Sequence, residues 1–324
     1  MTHSSRRLLC LLSLAVGFWP MAVGAQYPDR PVRLVVPFPA GGGADNLARA
    51  IVPRVAAALG ATIVIDNKPG AGGNVGAELV AHAAPDGYTL LYGTNGTHAI
   101  NASLYGNLRF DPVKDFAPVS RMTQIAAMLV VNPSLPIRTM PELLQYARAH
   151  PGKLNFASAG NGTTSHLAGE LLKTMAGVDL VHVPYRGGGL AAADVMSGQV
   201  EIMIDVMPNV FPLVKGGRLR GLAVTTPRRF PTAQEYATIA ESGVPGFEVS
   251  AWDGIFAPAG TPRGIIDRLN AAIRTALDDP ELRETLLSRG AQAVAGTPED
   301  LAQHVAREAV KWAKVVQQSG ARVD

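Results

Sequence analysis

Residues 37–45 read Pro-Phe-Pro-Ala-Gly-Gly-Gly-Ala-Asp, a glycine-rich segment that joins an apolar run to a helical pattern. The apolar, β-branched run is Val32–Val36, and the helical pattern begins near Asp45. Three successive glycines at a strand-to-helix turn leave backbone N–H groups accessible, because no side chain blocks the approach of a ligand. The dipole of the following helix directs its positive end at the same point. The segment therefore predicts a binding site for an anionic group.

The length and composition allow two domains with packed cores. The chain has 324 residues, of which 47% are hydrophobic and 17% charged. Beyond the N-terminus, no apolar stretch of the sequence approaches the roughly 20 residues that a membrane helix needs. We therefore expect no α-helical membrane span in the mature chain.

The first 25 residues have the features of an export signal. Arg6 and Arg7 form a basic start, Leu8–Phe18 is an apolar core, and Val23–Ala25 is a small-residue cleavage site. A buried N-terminal helix is the alternative interpretation. We expect residues 1–25 to be removed by cleavage after Ala25, and the mature protein to lie in the periplasm.

Export changes what the charge and the cysteine content imply. Removal of Arg6 and Arg7 from 29 basic residues leaves 27 against 26 acidic ones, a net charge of +1. This balance argues against a nucleic-acid partner. The single cysteine, Cys10, leaves with the signal, so the mature chain has no disulfide, thiolate nucleophile or thiolate metal ligand.

Short β-rich runs alternate with helical patterns along the mature chain, which predicts α/β layers with mostly parallel sheets. The expected strands are Val32–Val36, Thr62–Asp66, Thr89–Tyr92, Met128–Asn132, Leu154–Ser158, Leu180–Pro184, Glu201–Asp205 and Leu219–Thr225. The expected helices are Asp45–Leu59, Asn74–Ala83, Met140–Ala149, Thr164–Ala176, Leu190–Ser197, Met207–Lys215, Arg263–Leu277, Pro280–Arg289 and Pro298–Ser319.

Three further glycine-rich turns, at residues 69–76, 158–164 and 185–189, each follow a predicted strand. In a parallel α/β sheet such turns lie at the carboxyl ends of the strands, where ligands bind. Two of the four turns precede residue 120 and two follow it. Two sheets that face each other across a cleft would bring both sets together.

Two extended segments, Phe116–Gln124 and Phe247–Phe256, are the expected crossings between two lobes. A chain that crosses twice forms a hinged body that can close. We expect lobe 1 to comprise residues 26–120 with 252–324, and lobe 2 to comprise residues 121–251.

The glycine turns lack the spacing of nucleotide sites. The phosphate-loop pattern GxxxxGK[ST] is absent, and the GxGxxG spacing fails at residues 41–43 and 70–76. Residues 187–192 do fit GxGxxA, but Pro184–Arg186 makes this turn longer than the dinucleotide fingerprint, and export removes the protein from soluble dinucleotide pools. We therefore expect no cofactor.

Catalysis and metal binding have little support in the sequence. Ser158 lies in a segment that lacks the first glycine of GxSxG, although His166 follows eight residues later. The seven histidines show no HExxH pattern and no paired ligand spacing. His166 is either a hydrogen-bonding group for a ligand or a structural histidine. We expect no catalytic residue and no metal, and a periplasmic hydrolase remains the least favoured alternative.

A small carboxylate fits the residue types better. Thr163, Thr164 and Ser165 begin a predicted helix, so one hydroxyl is expected to cap it, and the spare hydroxyls and N–H groups to face a ligand. A helix start contributes on the order of 0.3–1 kcal/mol to anion binding. Asn95 and Asp205 follow predicted strands and are candidate orienting groups. Asp205 would repel a bare carboxylate and suits a ligand ammonium, a water or a loop N–H.

An ordered set of motifs along essentially the whole mature chain resembles the Bug receptors, the periplasmic solute-binding proteins of tripartite tricarboxylate transporters. Any one motif is weak, but the ordered set is highly specific. The matching segments are YPDRP (27–31), VPFPAGG (36–42), DNKPGAGGN (66–74), PDGYTL (85–90), ASAGNG (157–162), HLAGE (166–170), VPYRG (183–187), LAVT (222–225), WDG (252–254) and APAGTP (257–262).

The resemblance implies a two-lobed periplasmic-binding-protein fold, of the Venus-flytrap, type II-like kind, that closes on one small carboxylate-bearing anion. It further implies delivery of the ligand to the membrane subunits of the transporter. A monomer is expected, and presentation of the ligand to a membrane sensor kinase is the alternative role. The expected ligand-binding residues are Phe38, Ala40, Gly41, Gly42, Gly43, Asn95, Ser158, Thr163, Thr164, His166, Gly187 and Asp205.

Overall fold

A computed structural model describes residues 27–323. The expected export signal, residues 1–25, lies outside the described residues. The strands within the described part are β1 Val32–Val36, β2 Ile63–Asn67, β3 Thr89–Thr94, β4 Phe116–Val131, β5 Leu154–Ser158, β6 Leu180–Pro184, β7 Ile202–Val206, β8 Arg220–Val224, β9 Ser250–Pro258 and β10 Ala291–Ala293.

The helices surround this sheet, and no described helix combines the length and the apolar character needed to cross a membrane. They are α1 Gly43–Leu59, α2 Asn74–Ala81, α3 Asn101–Leu104, α4 Met140–Ala149, α5 Thr164–Ala176, α6 Gly188–Ser197, α7 Met207–Lys215, α8 Arg263–Leu277, α9 Pro280–Ser288 and α10 Pro298–Ser319. A π-helical turn, Gly96–Ile100, leads directly into α3.

Two parallel sheets are joined by antiparallel strands into one mixed sheet. Strands β1, β2 and β3 are parallel on one side, and β5, β6 and β7 are parallel on the other. The strand order is β2-β1-β3-β9-β4-β7-β5-β6, and β8 and β10 also pair with β4. The predicted α/β architecture with two crossing segments is therefore confirmed, with the crossing strands as the link between its halves.

The 16-residue strand β4 changes partners along its length. Its first part pairs with β9 as far as Ala126, and from Ala127 onward it pairs with β7. Strand β9 begins at Ser250 and returns the chain to the first half. These changes of partner lie a few residues from the lobe boundaries expected at 120 and 252. They locate the two crossings, and the division into lobes remains a prediction.

Each lobe has an apolar core beside its part of the sheet. In lobe 1, Leu47 and Ile51 of α1 pack with Ile273 of α8. In lobe 2, Phe156 of β5 and Leu172 of α5 belong to one buried cluster. Full burial of such a side chain contributes roughly 1.5–3 kcal/mol. These cores fix the helices whose first residues face the cleft.

The C-terminal helix α10 contacts both lobes. It packs against α5 of lobe 2 and against the π-helical turn and α3 of lobe 1. A capping box starts it, in which Thr297 accepts from the Asp300 N–H and the Asp300 side chain accepts from the Thr297 N–H. Glu308 Oε2 accepts from Trp252 Nε1 at 3.1 Å and from Trp312 Nε1 at 3.0 Å, which ties α10 to β9.

The helical segment Gly96–Leu104 and the strand β10 were not expected from the sequence. Ile100 and Leu104 are four residues apart, but the segment is too short for this one helical spacing to predict a helix. Its tertiary contacts with α10 hold it instead. Strand β10 has only three residues and is held by its pairing with β4 at Thr123–Ile125.

His98 makes the stability of this fold depend on pH. Its side chain is 1% exposed and stacks on Phe256 with ring centroids 3.7 Å apart. Burial lowers the pKa of His98 to about 3, whereas an unfolded histidine titrates at about 6.5. Between these two pKa values, His98 is protonated in the unfolded state and neutral in the folded state. The stability contribution is present above about pH 6.5 and is lost as the pH falls toward 3.

We expect His98→Gln to reduce this pH dependence. Between pH 7 and pH 5, the free energy of unfolding of the variant should fall by about 2 kcal/mol less than that of the unmodified chain. Urea unfolding at both pH values measures the difference. His150→Gln, which removes an exposed histidine, is the control and should follow the unmodified chain. Equal losses in all three proteins would contradict the assignment.

Candidate functional site

A cavity of about 80 Å³ lies where the two lobes meet. Because one enclosed water needs roughly 10–15 Å³ of such space, the cavity can hold several waters or a small ligand. The cavity is lined by Phe38, Gly43, Ala44, Tyr92, Thr94, Asn95, Gly96, Ile125, Ala159, Thr163, Thr164, Ser165, Gly188, Asp205, Val206, Ala251, Trp252 and Asp253.

The structure brings half of the expected ligand-binding residues to this cavity. The residues that line it are Phe38, Gly43, Asn95, Thr163, Thr164 and Asp205. The residues that lie outside its lining are Ala40, Gly41, Gly42, Ser158, His166 and Gly187. Gly187 instead lies where the turn at residues 185–189 closely contacts the first glycine loop. A Cβ placed on Gly187 would be 2.7 Å from Cγ of Pro39.

The first glycine loop encloses one of its own carboxylates. The Gly41 N–H donates to Asp45 Oδ2 at 2.9 Å, and Asp45 also accepts from Arg49 Nε and Asn67 Nδ2. Burial opposes the ionisation of Asp45, but these hydrogen bonds outweigh it and hold the pKa of Asp45 below its ordinary value. The part of the loop that faces the cavity is therefore the start of α1, at Gly43 and Ala44.

The second glycine turn presents the start of α5. Thr163 Oγ1 caps this helix by accepting from the His166 N–H at 3.4 Å, and it donates to the Gly160 carbonyl at 2.6 Å. Ser165 Oγ accepts from the Ala159 N–H at 2.8 Å. The hydroxyl of Thr164 is not used within the helix start, so it is free to contact the opposite lobe.

Asn95 and Thr164 form a direct latch between the lobes. Asn95 Nδ2 donates to Thr164 Oγ1 at 3.0 Å, and Thr164 Oγ1 lies 3.1 Å from Asn95 Oδ1. Asn95 is 1% exposed and Thr164 8% exposed. Both side chains also line the cavity, so this contact between the lobes lies in the wall of the site.

Asp205 lies against the start of α6. A Cβ placed on Gly188 would be 2.6 Å from Asp205 Oδ2, and Asn209 Nδ2 donates to this oxygen at 2.7 Å. Burial raises the pKa of Asp205 to about 6, although Asn209 and the Val206 N–H favour its ionised form. The positive end of α6 is thus opposed by a carboxylate of the protein itself.

Among the cavity-lining residues of the described range 27–323, none is a lysine or an arginine. The charged residues of the lining are Asp205 and Asp253, so the groups that can attract an anion are the helix starts, namely α1 at Gly43 and α5 at Thr164. The first N–H groups of a helix have no partner within that helix, and they carry the positive end of its dipole.

The floor of the cavity comes from β3 and the crossing strands, and sequence reasoning missed it. Tyr92 and Thr94 of β3 and Trp252 and Asp253 of β9 line the cavity. The Tyr92 hydroxyl donates to Asp253 Oδ2. The sequence signal was available, because Trp252 and Asp253 lie in the expected crossing Phe247–Phe256, and a crossing must pass beneath the cleft.

Ser158 is closed off from the cavity. It is 0% exposed, its Oγ lies 2.7 Å from His182 Nε2, and it accepts from the Gly160 N–H at 3.2 Å. A nucleophile must reach its substrate. This pair therefore serves to hold the turn rather than to attack a ligand.

His166, Glu170 and His182 bring potential metal-ligand atoms within 4.8 Å of one another. The two imidazole rings stack with centroids 4.2 Å apart and an interplanar angle of 14°. Nitrogen lone pairs lie in the ring planes, so nearly parallel rings do not converge on one ion. Burial, reinforced by His182 and Lys173, lowers the pKa of His166 to about 3. The stack is an element of the lobe 2 core.

Gly43 offers a test of closure. A Cβ placed there would lie 2.5 Å from Val206 Cγ2 of the opposite lobe, so we expect Gly43→Val to hold the lobes apart while each lobe stays folded. Small-angle X-ray scattering should give a larger radius of gyration, with an unchanged far-UV circular dichroism spectrum. Gly42→Ala is the control, because its Cβ would meet only the Pro39 carbonyl oxygen at 3.4 Å. Identical scattering from both variants would contradict the expectation that a valine side chain at position 43 holds the lobes apart.

Comparisons with known proteins agree with this geometry. The profile of the family described as "Tripartite tricarboxylate transporter family receptor" matches residues 47–321. Protein BugT of Bordetella pertussis is 34% identical over 321 residues, 98% of each chain. The structure of R. palustris Rpa4515 with adipate is 40% identical, with a TM-score of 0.90 over 92% of this chain and 100% of that one. MatC (Rpa3494) from Rhodopseudomonas palustris, with bound malate, is 39% identical, with a TM-score of 0.85 over 90% of this chain and 100% of that one. The chain belongs to the tripartite tricarboxylate transporter receptor family, the Bug-type periplasmic solute-binding proteins.

Proposed function

We propose that this receptor captures one small carboxylate-bearing anion between its lobes and delivers it to the membrane subunits of a tripartite tricarboxylate transporter. The observation that carries the proposal is the meeting of the α1 and α5 starts in a cavity whose described lining has no lysine or arginine. The relatives with bound adipate and malate support a carboxylate as the ligand class.

The ligand carboxylate is assigned to the N–H groups at the two helix starts. Gly43 and Ala44 supply those of α1, and Thr164 and Ser165 supply those of α5. Each helix start contributes on the order of 0.3–1 kcal/mol, and up to about 2 kcal/mol where partly buried. Asn95 orients the ligand from lobe 1 through its amide. Phe38 covers one wall of the cavity.

The finer parts of the proposal concern export, assembly and chemistry. Residues 1–25 direct the chain to the periplasm, and the receptor acts as a monomer, since one chain supplies the whole lining described above. The ligand is released unchanged. The inaccessibility of Ser158, with its hydroxyl held by His182, supports a receptor without turnover.

A thermal-shift panel of carboxylates, followed by calorimetry, tests ligand capture. A ligand at about 100 times its dissociation constant stabilises the folded state by about 2.7 kcal/mol, so it should raise the melting temperature measurably. Gly43→Val should abolish the shift, because its lobes cannot close on the ligand, whereas Gly42→Ala should keep it. A broad panel that produces no shift at millimolar concentration would overturn the proposal.

Delivery is tested by uptake. Cells that express the membrane subunits should accumulate the radiolabelled ligand with the unmodified receptor, and accumulation should fall to background with Gly43→Val. Mass spectrometry of the recovered ligand should give its original mass. Uptake that persists without the receptor would show that transport does not need this protein, and it would reject the transport role even if the ligand binds.

A further inference from the structure

A second, larger space lies beside the cavity. It is a groove of about 650 Å³ at the surface between the lobes, where the glycine-rich turns of both lobes meet. Phe38 of lobe 1 and Ala159 of lobe 2 line both the cavity and the groove, so the two spaces border each other there. A ligand that is too long for the cavity can therefore extend past these two residues into the groove.

Contacts between the lobes border the groove. The Tyr105 hydroxyl donates to the Asn161 carbonyl at 3.0 Å, and a Cβ placed on Gly187 would be 2.7 Å from Cγ of Pro39. Tyr105, Asn161 and Pro39 themselves line the groove. Because residues of both lobes form its walls, the groove has this shape only when the lobes are closed.

The walls of the groove are largely apolar. Proline rings come from Pro37, Pro39, Pro69 and Pro184, and Phe38 lies where the groove meets the cavity. Removal of apolar surface from water is favourable, so such walls suit the methylene groups of an aliphatic chain.

One positive charge lies in these walls. Among the described residues that line the groove, Arg186 is the only one with a charged side chain. The Arg186 side chain is exposed. Within the described part of the chain, no ion pair and no side-chain hydrogen bond involves its guanidinium. The guanidinium is therefore available to an anion that enters the groove.

Arg186 is also close to the cavity along the chain. Gly188 lines the cavity and follows Arg186 by two residues, so their Cα atoms are at most about 7 Å apart. The long, flexible side chain of Arg186 extends the reach of its guanidinium further. Since the described lining of the cavity has no lysine or arginine, the groove adds the cation that the cavity lacks.

We propose that the groove holds the far end of an elongated dicarboxylate and that Arg186 binds its second carboxylate. The inference rests on the proposed function, because the first carboxylate is assigned to the starts of α1 and α5. The methylene chain passes Phe38 and Ala159 and packs against the proline rings. A guanidinium donates two parallel hydrogen bonds to one carboxylate. Arg186 therefore favours diacids that are long enough to reach it over shorter diacids and over acids with a neutral far end.

Diacids and their monoamides, compared at equal chain length, isolate the second carboxylate. Calorimetry at pH 8 compares succinate, adipate and suberate, each with its own monoamide, which keeps the length and removes one charge. We expect the longer diacids to bind about three- to fivefold more tightly than their monoamides, the modest gain typical of an exposed ion pair. Succinate, which is short enough to stay in the cavity, should differ from its monoamide by less than about twofold.

Substitution of Arg186 assigns the effect to this side chain. Arg186→Gln should abolish the advantage of the long diacids and leave the affinities for the monoamides within about twofold. Arg186→Lys should keep part of the advantage, since the charge stays but the two-pronged contact is lost. Arg218→Gln is the matched control and should leave every affinity unchanged, because it removes another exposed arginine of lobe 2, between α7 and β8 and outside the groove. Melting curves without ligand check that each variant is folded, and the comparison of diacids with monoamides in the unmodified chain is decisive without them.

The inference and the proposed function fail separately. Equal affinities of diacid and monoamide at all three lengths would overturn the inference and leave carboxylate capture intact. An advantage that is as large for succinate, that survives in folded Arg186→Gln, or that is also lost in Arg218→Gln would likewise overturn it. If none of the six compounds binds, the assignment of a carboxylate to the helix starts falls, and the inference falls with it.

Discussion

The antiparallel pairing of β4 with β9 is the constraint on which the rest of the molecule depends. The ladder runs from Phe116↔Pro258 to Ala126↔Ser250, and it carries the chain out of lobe 1 and back again. Because both crossings lie side by side in one hydrogen-bonded sheet, the lobes can rotate about them but cannot separate. The same strands supply the floor of the cavity, so the hinge and the binding site share residues.

The proposed use of helix starts rather than arginine to bind an anion has a physical consequence. A helix start offers about half an elementary charge, fixed in direction by the backbone, and N–H groups that need no side-chain ordering. Asp45 and Asp205 show how the protein uses the same device internally, since each lies at a helix start beside the cavity. An arginine would add a full charge and a two-pronged contact to a carboxylate, but it would lose side-chain freedom on binding.

The secondary structure was largely predictable because each element carries its own period or cap. Helices α4, α5, α7, α8 and α10 have the expected bounds, and so do β1, β5 and β6. The site was half predictable. Glycines and hydroxyls at strand-to-helix turns pointed to Gly43, Thr163 and Thr164, but the internal bond from Gly41 to Asp45 moves the open N–H groups along the loop.

The remaining part of the site depends on tertiary pairing. Thr94 and Asp253 are more than a hundred residues apart in the chain, and only the register of β3 with β9 makes them neighbours. Ser158 was a reasonable candidate by sequence, yet the strand pairing that sets Phe156 opposite His182 on the next strand also brings that histidine to the Ser158 hydroxyl. Local sequence patterns predict neither the pairing of Thr94 with Asp253 nor the contact of His182 with Ser158.

The latch between Asn95 and Thr164 joins two side chains of the protein itself, so it favours the closed form even before a ligand binds. One such hydrogen bond contributes roughly 0.5–1.5 kcal/mol, a factor of about 2 to 13 in the balance between open and closed forms. If a membrane partner recognises the closed form, it also binds the receptors that are closed but empty. A stronger latch would increase both the affinity for the ligand and the fraction of receptors that are closed but empty. A weaker latch would decrease both. The strength of this contact therefore contributes to how closely the empty receptor resembles the loaded one.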